Sequence, residues 1–227
     1  MDGTGLLFRH LTSVLLDNSG IATQIIAYPA APLDYTALEA SVRSQLPCEQ
    51  SYIVLAESFS GPLGAALRAA PPPGMQALIL CCSFVRNPRP GLASLRYLLG
   101  AIPFSNMPGI ALRQALLAPY ATPTLQAELS SALAQVPAHV LRQRLRAVLT
   151  VDAAAAFARG SLPVLYLRAL HDRLVPSLNA LHIMQLAPGT QVVDIAAPHM
   201  LLQAAPQAGA SAIATFITNL SSLQPER

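Results

Sequence analysis

Short apolar runs alternate with segments of helical period along most of this 227-residue chain. Each run has the length of a buried strand, and in most of the segments between the runs apolar residues recur every three or four positions. This alternation is typical of a parallel sheet whose strands are connected by helices. The predicted strands are Thr23–Tyr28, Tyr52–Ala56, Ala77–Ser83, Pro163–Arg168 and Gln191–Ile195.

The segments of helical period predict the layers that cover this sheet. Asp34 directly precedes one of them and is well placed to accept a hydrogen bond from the first turn of a helix. Proline and glycine mark several of the other boundaries. The predicted helices are Leu6–Leu16, Tyr35–Leu46, Gly61–Ala70, Val175–Leu186 and Leu201–Leu223.

The alternation of strand and helix stops between Arg86 and Gly160. This stretch has helical and turn-rich patterns with many prolines, and it has no strong strand pattern. We therefore predict that residues 86–160 form an inserted helical cap. Residues 1–85 and 161–227 then form the α/β core.

Composition favours a folded protein without a membrane span. Hydrophobic residues make up 53% of the chain and charged residues only 11%, which is enough for a large core and argues against disorder. No uninterrupted apolar run reaches the roughly 18 residues of a membrane span. Arg9, His10 and Asp17 interrupt the apolar residues near the N-terminus, unlike the pattern of a signal peptide. We therefore expect a cytoplasmic protein.

The basic residues give no sign of nucleic-acid binding. All 14 of them are arginines, the formal net charge is +3, and they are scattered except for Arg142, Arg144 and Arg146. This group lacks the interleaved aromatic residues and the longer basic stripe of a nucleic-acid site. We interpret it as the solvated face of a helix.

The three cysteines do not indicate a disulfide framework or a metal site. Cys48, Cys81 and Cys82 are odd in number, and none of them has zinc-ligand spacing. We expect all three to be buried free thiols. No metal ion or organic cofactor is implied by the sequence.

One strand-to-helix turn carries a candidate nucleophile. Ser58 lies between the apolar run that ends at Ala56 and the helical segment that begins at Gly61. A nucleophile on such a sharp turn needs small residues two positions before and after it, and Ala56 and Ser60 meet this condition. The same hexapeptide also fits an ordinary connection in which Ser58 begins a helix.

Two later residues could activate this serine. A serine hydroxyl is a weak nucleophile and needs a neighbouring base, which in turn needs an orienting group. Asp172 follows one predicted strand and His199 follows the next, in the order Ser, Asp, His. Parallel strands bring their carboxyl ends to one edge of the sheet. Each residue alone also fits a structural role, and among the other acids Asp194 lies inside a predicted strand and Asp152 lies in the predicted cap.

Three segments resemble the active-site segments of α/β-hydrolases. They read ESFSG at residues 57–61, HDRLVP at 171–176 and PHMLLQ at 198–203. Ala56 and Ser60 depart from the family pattern, in which glycine is usual at both positions.

The resemblance implies a mostly parallel α/β-hydrolase sheet that is flanked by helices and carries the helical cap. It implies a serine hydrolase in which Ser58 is the nucleophile, His199 is the general base and Asp172 orients the histidine. The oxyanion hole would use the backbone N–H of Phe59 and a second donor near Met1. Oligomeric state is left open.

The expected substrate is a small-molecule carboxylic ester or thioester with a small to medium acyl group. The apolar residues of the predicted cap suit an acyl chain, although packing of the cap onto the core also explains them. A lyase or C–C hydrolase could use the same three residues. The alternative is a non-catalytic or N-terminally truncated relative that binds a ligand or a partner.

The opening residues carry a further expectation. The segment MDGTGLLF at residues 1–8 resembles the stretch that follows the oxyanion-hole strand of this family, yet no strand precedes it. In the family that strand lies between the strands that match Thr23–Tyr28 and Tyr52–Ala56. We therefore expect an N-terminally truncated reading of a longer protein. The two flanking strands would then have to pair directly for the chain to fold well, because unpaired buried backbone groups are costly.

Overall fold

The computed structural model describes residues 2–100 and 109–223. Its sheet has four parallel strands in the order β1-β2-β3-β4. The four were predicted from the sequence, and their ends differ from the predicted ends by at most two residues. The strands are β1 Tyr52–Glu57, β2 Met75–Cys81, β3 Val164–Ala169 and β4 Gln191–Ile195.

Helices cover both faces of this sheet. Among the described residues, no helix is both long enough and apolar enough to cross a membrane. The α-helices are α1 Arg9–Ser19, α2 Tyr35–Arg43, α3 Gly61–Ala69, α4 Gly109–Leu117, α5 Pro123–Ala134, α6 Ala138–Thr150, α7 Ala154–Arg159, α8 Leu178–Leu186, α9 Leu201–Ala204 and α10 Pro206–Leu223. Short 3₁₀ segments lie at Leu6–Phe8, Ser58–Ser60 and Pro90–Tyr97.

The core has two halves, one on each face of the sheet. Successive side chains of a strand point to opposite faces, so along β2 Ile79 packs with α1 and α10 while Leu80 packs with α2, α3 and α8. Along β3, Leu167 packs on the same face as Ile79, and Tyr166 packs on the same face as Leu80. This burial on both faces explains why these strands are apolar at consecutive positions rather than at alternate ones.

Local chemistry sets two of the helix ends. The predicted role of Asp34 is confirmed, because its Oδ1 accepts a hydrogen bond of 2.9 Å from the backbone N–H of Ala37. The predicted helix Leu201–Leu223 is instead two helices that meet at Ala205. Pro206 explains the break, since the residue before a proline is driven away from helical geometry, and Ala205 has φ −137°.

The prediction of a strand at Thr23–Tyr28 is wrong. The segment forms no strand, and within the described part of the chain β1 has no partner on its outer edge. The direct pairing expected between Thr23–Tyr28 and Tyr52–Ala56 is therefore also absent. The Tyr28 N–H instead donates to the Gly3 carbonyl at 2.8 Å. An apolar pattern becomes a strand only beside another strand, and this neighbour cannot be read from local sequence.

Residues 86–160 leave the sheet at the end of β2 and return shortly before β3. The backbone N–H of Ala153 donates to the Val85 carbonyl at 2.7 Å, and Arg86 and Asp152 form an isolated antiparallel bridge. The two ends of the segment therefore lie side by side. Between them, the described residues form helices and turns and no strand.

The cysteines follow the sequence prediction only in part. Cys81 and Cys82 are buried at the end of β2, whereas Cys48 is exposed. Cys48 lies in the turn between α2 and β1, which runs over the surface as most connecting segments do. The expectation that it is buried is wrong.

Candidate active site

Ser58 lies at a strained bend directly after β1. Its φ of 50° is in the left-handed region, which non-glycine residues rarely adopt. The helix that follows passes very close to the residues just after β2. A Cβ on Gly61 would overlap Ser83 Oγ and the Phe84 carbonyl, so this approach requires glycine. Strain of this kind persists only where the surroundings over-determine it. The bend therefore holds the Ser58 side chain in one direction.

Hydrogen bonds from three elements fix this bend. Ser83 Oγ donates to the Ser58 carbonyl at 2.7 Å, and Tyr166 of β3 donates from its hydroxyl to the Ser83 carbonyl at 2.8 Å. On the other side, the Tyr35 hydroxyl donates to the Phe59 carbonyl at 2.9 Å. These bonds satisfy backbone groups that a buried turn would otherwise leave unpaired.

The structure brings Ser58, His199 and Asp172 together. Ser58 Oγ lies 2.8 Å from His199 Nε2, and His199 Nδ1 lies 2.8 Å from Asp172 Oδ2. The side chains of His199 and Asp172 are only 6% and 5% exposed, so bulk water competes little for their hydrogen bond. Asp172 follows β3 and His199 follows β4, at the sheet edge predicted from the sequence.

Asp172 determines which nitrogen of His199 carries the proton. Its Oδ1 accepts hydrogen bonds from the backbone N–H groups of Leu174 and Val175 at 2.8 and 2.9 Å. Because a carboxylate only accepts, the contact at Oδ2 requires His199 Nδ1 to donate. The lone pair of Nε2 then faces the hydroxyl of Ser58 and can accept its proton.

Backbone hydrogen bonds hold the Asp172 and His199 loops against each other. The N–H of Leu170 donates to the Ile195 carbonyl at 2.9 Å, and the N–H of His171 donates to the Ala197 carbonyl at 3.0 Å. These bonds extend the pairing of β3 with β4 beyond the strand ends. The distance between Asp172 and His199 is thus set by the sheet rather than by flexible loops.

The predicted oxyanion donors can be placed only in part. Phe59 directly follows Ser58 and lies in the 3₁₀ segment that leads into α3. The first N–H groups of a helical segment have no carbonyl partner within it and point out of its N-terminus. The other predicted donor, Met1, lies outside the described residues.

Two residues that the sequence did not reveal, Arg144 and Tyr28, hold the N-terminal loop beside the bend. Arg144 of α6 donates from Nη1 to the Asp2 carbonyl at 2.7 Å and from Nη2 to the Pro29 carbonyl at 2.8 Å. Its guanidinium lies 5.8 Å from the ring centre of Tyr28, whose hydroxyl is 2.6 Å from Ser60 Oγ. A run of contacts therefore connects α6 to the segment that carries Ser58.

The interpretation of the Arg142, Arg144 and Arg146 group as a solvated face is wrong for its central member. Arg144 is 1% exposed, and its burial lowers the pKa of its guanidinium. Periodicity alone could not reveal this, because arginine is usually exposed and its partners are backbone carbonyls far away in the sequence.

We expect Arg144→Met to lower the free energy of unfolding by about 2–4 kcal/mol. The substitution keeps most of the apolar volume but leaves two partly buried carbonyls without their charged donor. Denaturant unfolding measures the change. Arg146→Met is the matched control on the same helix, because Arg146 is exposed, and its effect should stay within about 0.5 kcal/mol. Equal losses in the two variants would contradict the role assigned to Arg144.

Residues of the 86–160 segment pack against the His199 loop. The N–H of Met200 donates to the Leu116 carbonyl of α4 at 3.1 Å. Met200 also belongs to a small apolar cluster with Leu117 and Leu129, against which Leu7 packs. Helices α4 and α5 therefore contact both the histidine loop and the N-terminal loop.

Metal binding, a surface depression and the competing acid Asp194 are weaker candidates for the functional site. No group of three or more His, Cys, Asp or Glu side chains suited to a metal ion occurs in residues 2–100 and 109–223. A surface depression of about 450 Å³ between α1 and α10 is lined by small, uncharged residues such as Asn18 and Ser211. Asp194, the competing acid from the sequence, forms an ion pair with Arg168 at 2.6 Å on the surface.

Comparisons with known proteins show a fold shared with solved structures. No protein-family model matches the chain, and no curated protein matches it. Among solved structures, a hydrolase from Oleispira antarctica is similar over 99% of this chain and 89% of its own, with a TM-score of 0.78 and 13% identity. The esterase EaEST from Exiguobacterium antarcticum is similar over 96% and 88%, with a TM-score of 0.77 and 15% identity.

A hydrolase from Pseudomonas aeruginosa PA01 is similar over 83% of this chain and 74% of its own, with a TM-score of 0.71 and 19% identity. At identities this low, the likeness shows a shared arrangement of strands and helices and nothing finer.

Proposed function

We propose that this chain, which has the α/β-hydrolase fold, is a serine hydrolase that cleaves a carboxylic ester or thioester. The observation that carries the proposal is the continuous contact from Ser58 Oγ through His199 to Asp172, with both hydrogen bonds at 2.8 Å. A strained serine, a histidine whose Nε2 is free to take a proton, and an orienting carboxylate are the parts that acyl transfer requires.

The reaction would proceed through an acyl-enzyme. Ser58 Oγ attacks the carbonyl carbon while its proton moves to His199 Nε2, and the N–H of Phe59 donates to the oxyanion. His199 then gives that proton to the leaving oxygen or sulfur as the bond to it breaks. Water attacks the acyl-enzyme by the same route, releases the acid and restores the Ser58 hydroxyl. The second oxyanion donor would come from the N-terminal loop, at the position predicted for Met1.

The acyl group in this proposal is small to medium in size. We assign substrate access to the cap, residues 86–160, whose helices α4 and α5 contact the loops on two sides of the site. The side chains with which these helices contact the loops are apolar, and they include Leu116, Leu117 and Leu129. The Exiguobacterium antarcticum neighbour is named as an esterase, which agrees with this substrate class.

Labelling with a fluorophosphonate probe tests the proposal directly. The probe forms a covalent bond only with an activated serine, so we expect one label per chain, at Ser58, located by peptide mass spectrometry. Ser58→Ala should remove the label, and Ser13→Ala, on the surface helix α1, should keep it. Folded protein that stays unlabelled would favour the non-catalytic binding protein instead. A panel of p-nitrophenyl esters of increasing chain length would then define the acyl group.

A further inference from the structure

A second carboxyl group lies beside the candidate nucleophile. Glu57 is the last residue of β1 and directly precedes Ser58. Its Oε2 accepts a hydrogen bond of 3.2 Å from Nε2 of Gln203, which is 5% exposed and lies on α9, just after His199. The Glu57–Gln203 contact therefore joins the segment that carries the serine to the segment that carries the histidine.

Two oxygens of this pair lack a hydrogen-bond partner. Glu57 Oε1 and Gln203 Oε1 are both buried, and neither has a partner among the residues that the structure describes. A carboxylate oxygen and an amide oxygen can only accept hydrogen bonds, so an ionised Glu57 leaves both unsatisfied. Buried polar groups are rarely left in this state.

One proton would satisfy both oxygens at once. A carboxylic acid donates through its O–H and accepts through its other oxygen, and a primary amide donates through N–H and accepts through its oxygen. The two groups can therefore pair edge to edge with two hydrogen bonds. The structure already contains the first of them, from Gln203 Nε2 to Glu57 Oε2.

We propose that Glu57 carries a proton on Oε1 and donates it to Gln203 Oε1, so that a neutral acid–amide pair holds Ser58 and His199 together in the active form. This inference rests on the proposed serine-hydrolase function for its catalytic consequence. Glu57 is a positioning residue here, because no step of the reaction takes or gives its proton.

The surroundings of Glu57 make this proton titrate near neutrality. Burial raises the pKa of Glu57 to about 7. Positive charge on His199, when it is protonated, the Gln203 hydrogen bond and the amino terminus oppose the rise, and Asp2 adds to it. Cys81 of β2 also faces this carboxyl, and burial raises the pKa of its thiol, which therefore stays neutral. The carboxyl is thus mostly protonated below about pH 7 and ionised above it.

Ionisation of Glu57 would slow acyl transfer. The reaction builds negative charge on the substrate carbonyl oxygen next to Ser58, and a carboxylate one residue away repels that charge. An ionised Glu57 would also lose the hydrogen bond that its O–H donates to Gln203. We therefore expect ionisation of Glu57 to lower kcat by about tenfold between pH 6 and pH 9, relative to a variant that cannot ionise at this position.

Glu57→Gln separates this role from a purely structural one. Its amide supplies an N–H where the acid supplies an O–H, and it cannot ionise. We expect the variant and the wild type to have equal kcat near pH 6, and the variant to be about tenfold faster at pH 9, because titration of His199 affects both proteins alike. Glu49→Gln, at an exposed position, should keep the wild-type profile. Superimposable pH profiles of wild type and Glu57→Gln would overturn the proposal.

Infrared difference spectroscopy tests the proton without any turnover. In a Ser58→Ala background, the protein at pH 6 should show the C=O band of a buried protonated carboxylic acid. The band should vanish in the double variant with Glu57→Gln, persist with Glu49→Gln and fade as the pH passes about 7. Absence of the band at pH 6 would overturn the acid–amide pair. The band, found together with a wild-type protein that neither reacts with the fluorophosphonate nor turns over esters, would support the pair while rejecting the proposed function.

Discussion

Ser58→Ala should lower kcat for ester hydrolysis by about 10³-fold or more, with the fold intact. The substitution removes the atom that attacks the substrate. The backbone keeps the bonds that fix it, since Ser83 and Tyr35 hold the carbonyls of Ser58 and Phe59 and do not involve the Ser58 side chain. Steady-state kinetics with a p-nitrophenyl ester measures the loss, and circular dichroism and thermal unfolding measure the fold.

The unfolding of this variant carries information of its own. Alanine at φ 50° keeps the backbone strain of the bend, so the variant should lose only the Ser58–His199 hydrogen bond, worth about 1 kcal/mol. Ser13→Ala is the control for activity, as it is for labelling. Turnover of Ser58→Ala close to that of the wild type would reject Ser58 as the nucleophile, and a collapse of the fold would reject the view that its hydroxyl serves catalysis alone.

Most of the fold follows from two periodicities in the sequence. Strands buried on both faces read as unbroken apolar runs, as in Ala77–Ser83, and amphipathic segments follow them at helical spacing. The α/β-hydrolase fold that the motifs predict is confirmed by the structural likenesses. Local signals of this kind suffice where each element is stabilised by contacts that its own pattern describes.

The sequence is least informative where an element depends on a distant neighbour. Thr23–Tyr28 has the residues of a strand, yet it needs hydrogen bonds from an adjacent strand, and the described part of the chain provides none beside it. The prediction of one helix at Leu201–Leu223 is wrong for a local reason that the sequence does contain, because the residue before Pro206 is driven away from helical geometry.

The candidate site also contains residues that the sequence reveals and residues that it does not. Ser58, Asp172 and His199 could be predicted because each follows a recognisable strand and only their order had to be known. Arg144 and Gln203 could not, since their partners are separated from them by more than a hundred residues in the sequence. No spacing rule links a buried side chain to such a partner, and only the packed structure reveals the pair.

Asp172→Asn should reduce kcat by about 10⁴-fold, because an amide in this position favours the wrong tautomer of the histidine. The backbone N–H groups of Leu174 and Val175 would keep the amide oxygen on their side, at the place of Oδ1. The amide NH₂ would then face His199 Nδ1 and donate to it. His199 would carry its proton on Nε2, pointing at Ser58, and could not accept the serine proton.

Asp194→Asn is the matched control for this loss. Asp194 lies on the adjacent strand β4, and its partner Arg168 holds it on the surface, with the Asp194 side chain 41% exposed. Removal of an exposed ion pair should cost at most about 1 kcal/mol of stability and leave kcat unchanged. Equal losses of activity in Asp172→Asn and Asp194→Asn would mean that charge near the sheet edge matters and that orientation of the histidine does not.

His199→Ala combined with Asp172→Asn should be no slower than the slower of the two single variants. Asp172 acts only through His199, so once the imidazole is gone its carboxylate has no proton acceptor left to orient. Independent residues would instead multiply their losses, and the double variant would fall to the product of the two. The kcat values of the wild type, both single variants and the double variant, measured with one substrate at one pH, decide between these cases. A multiplied loss would show that the three side chains, although in contact, do not work as one catalytic unit.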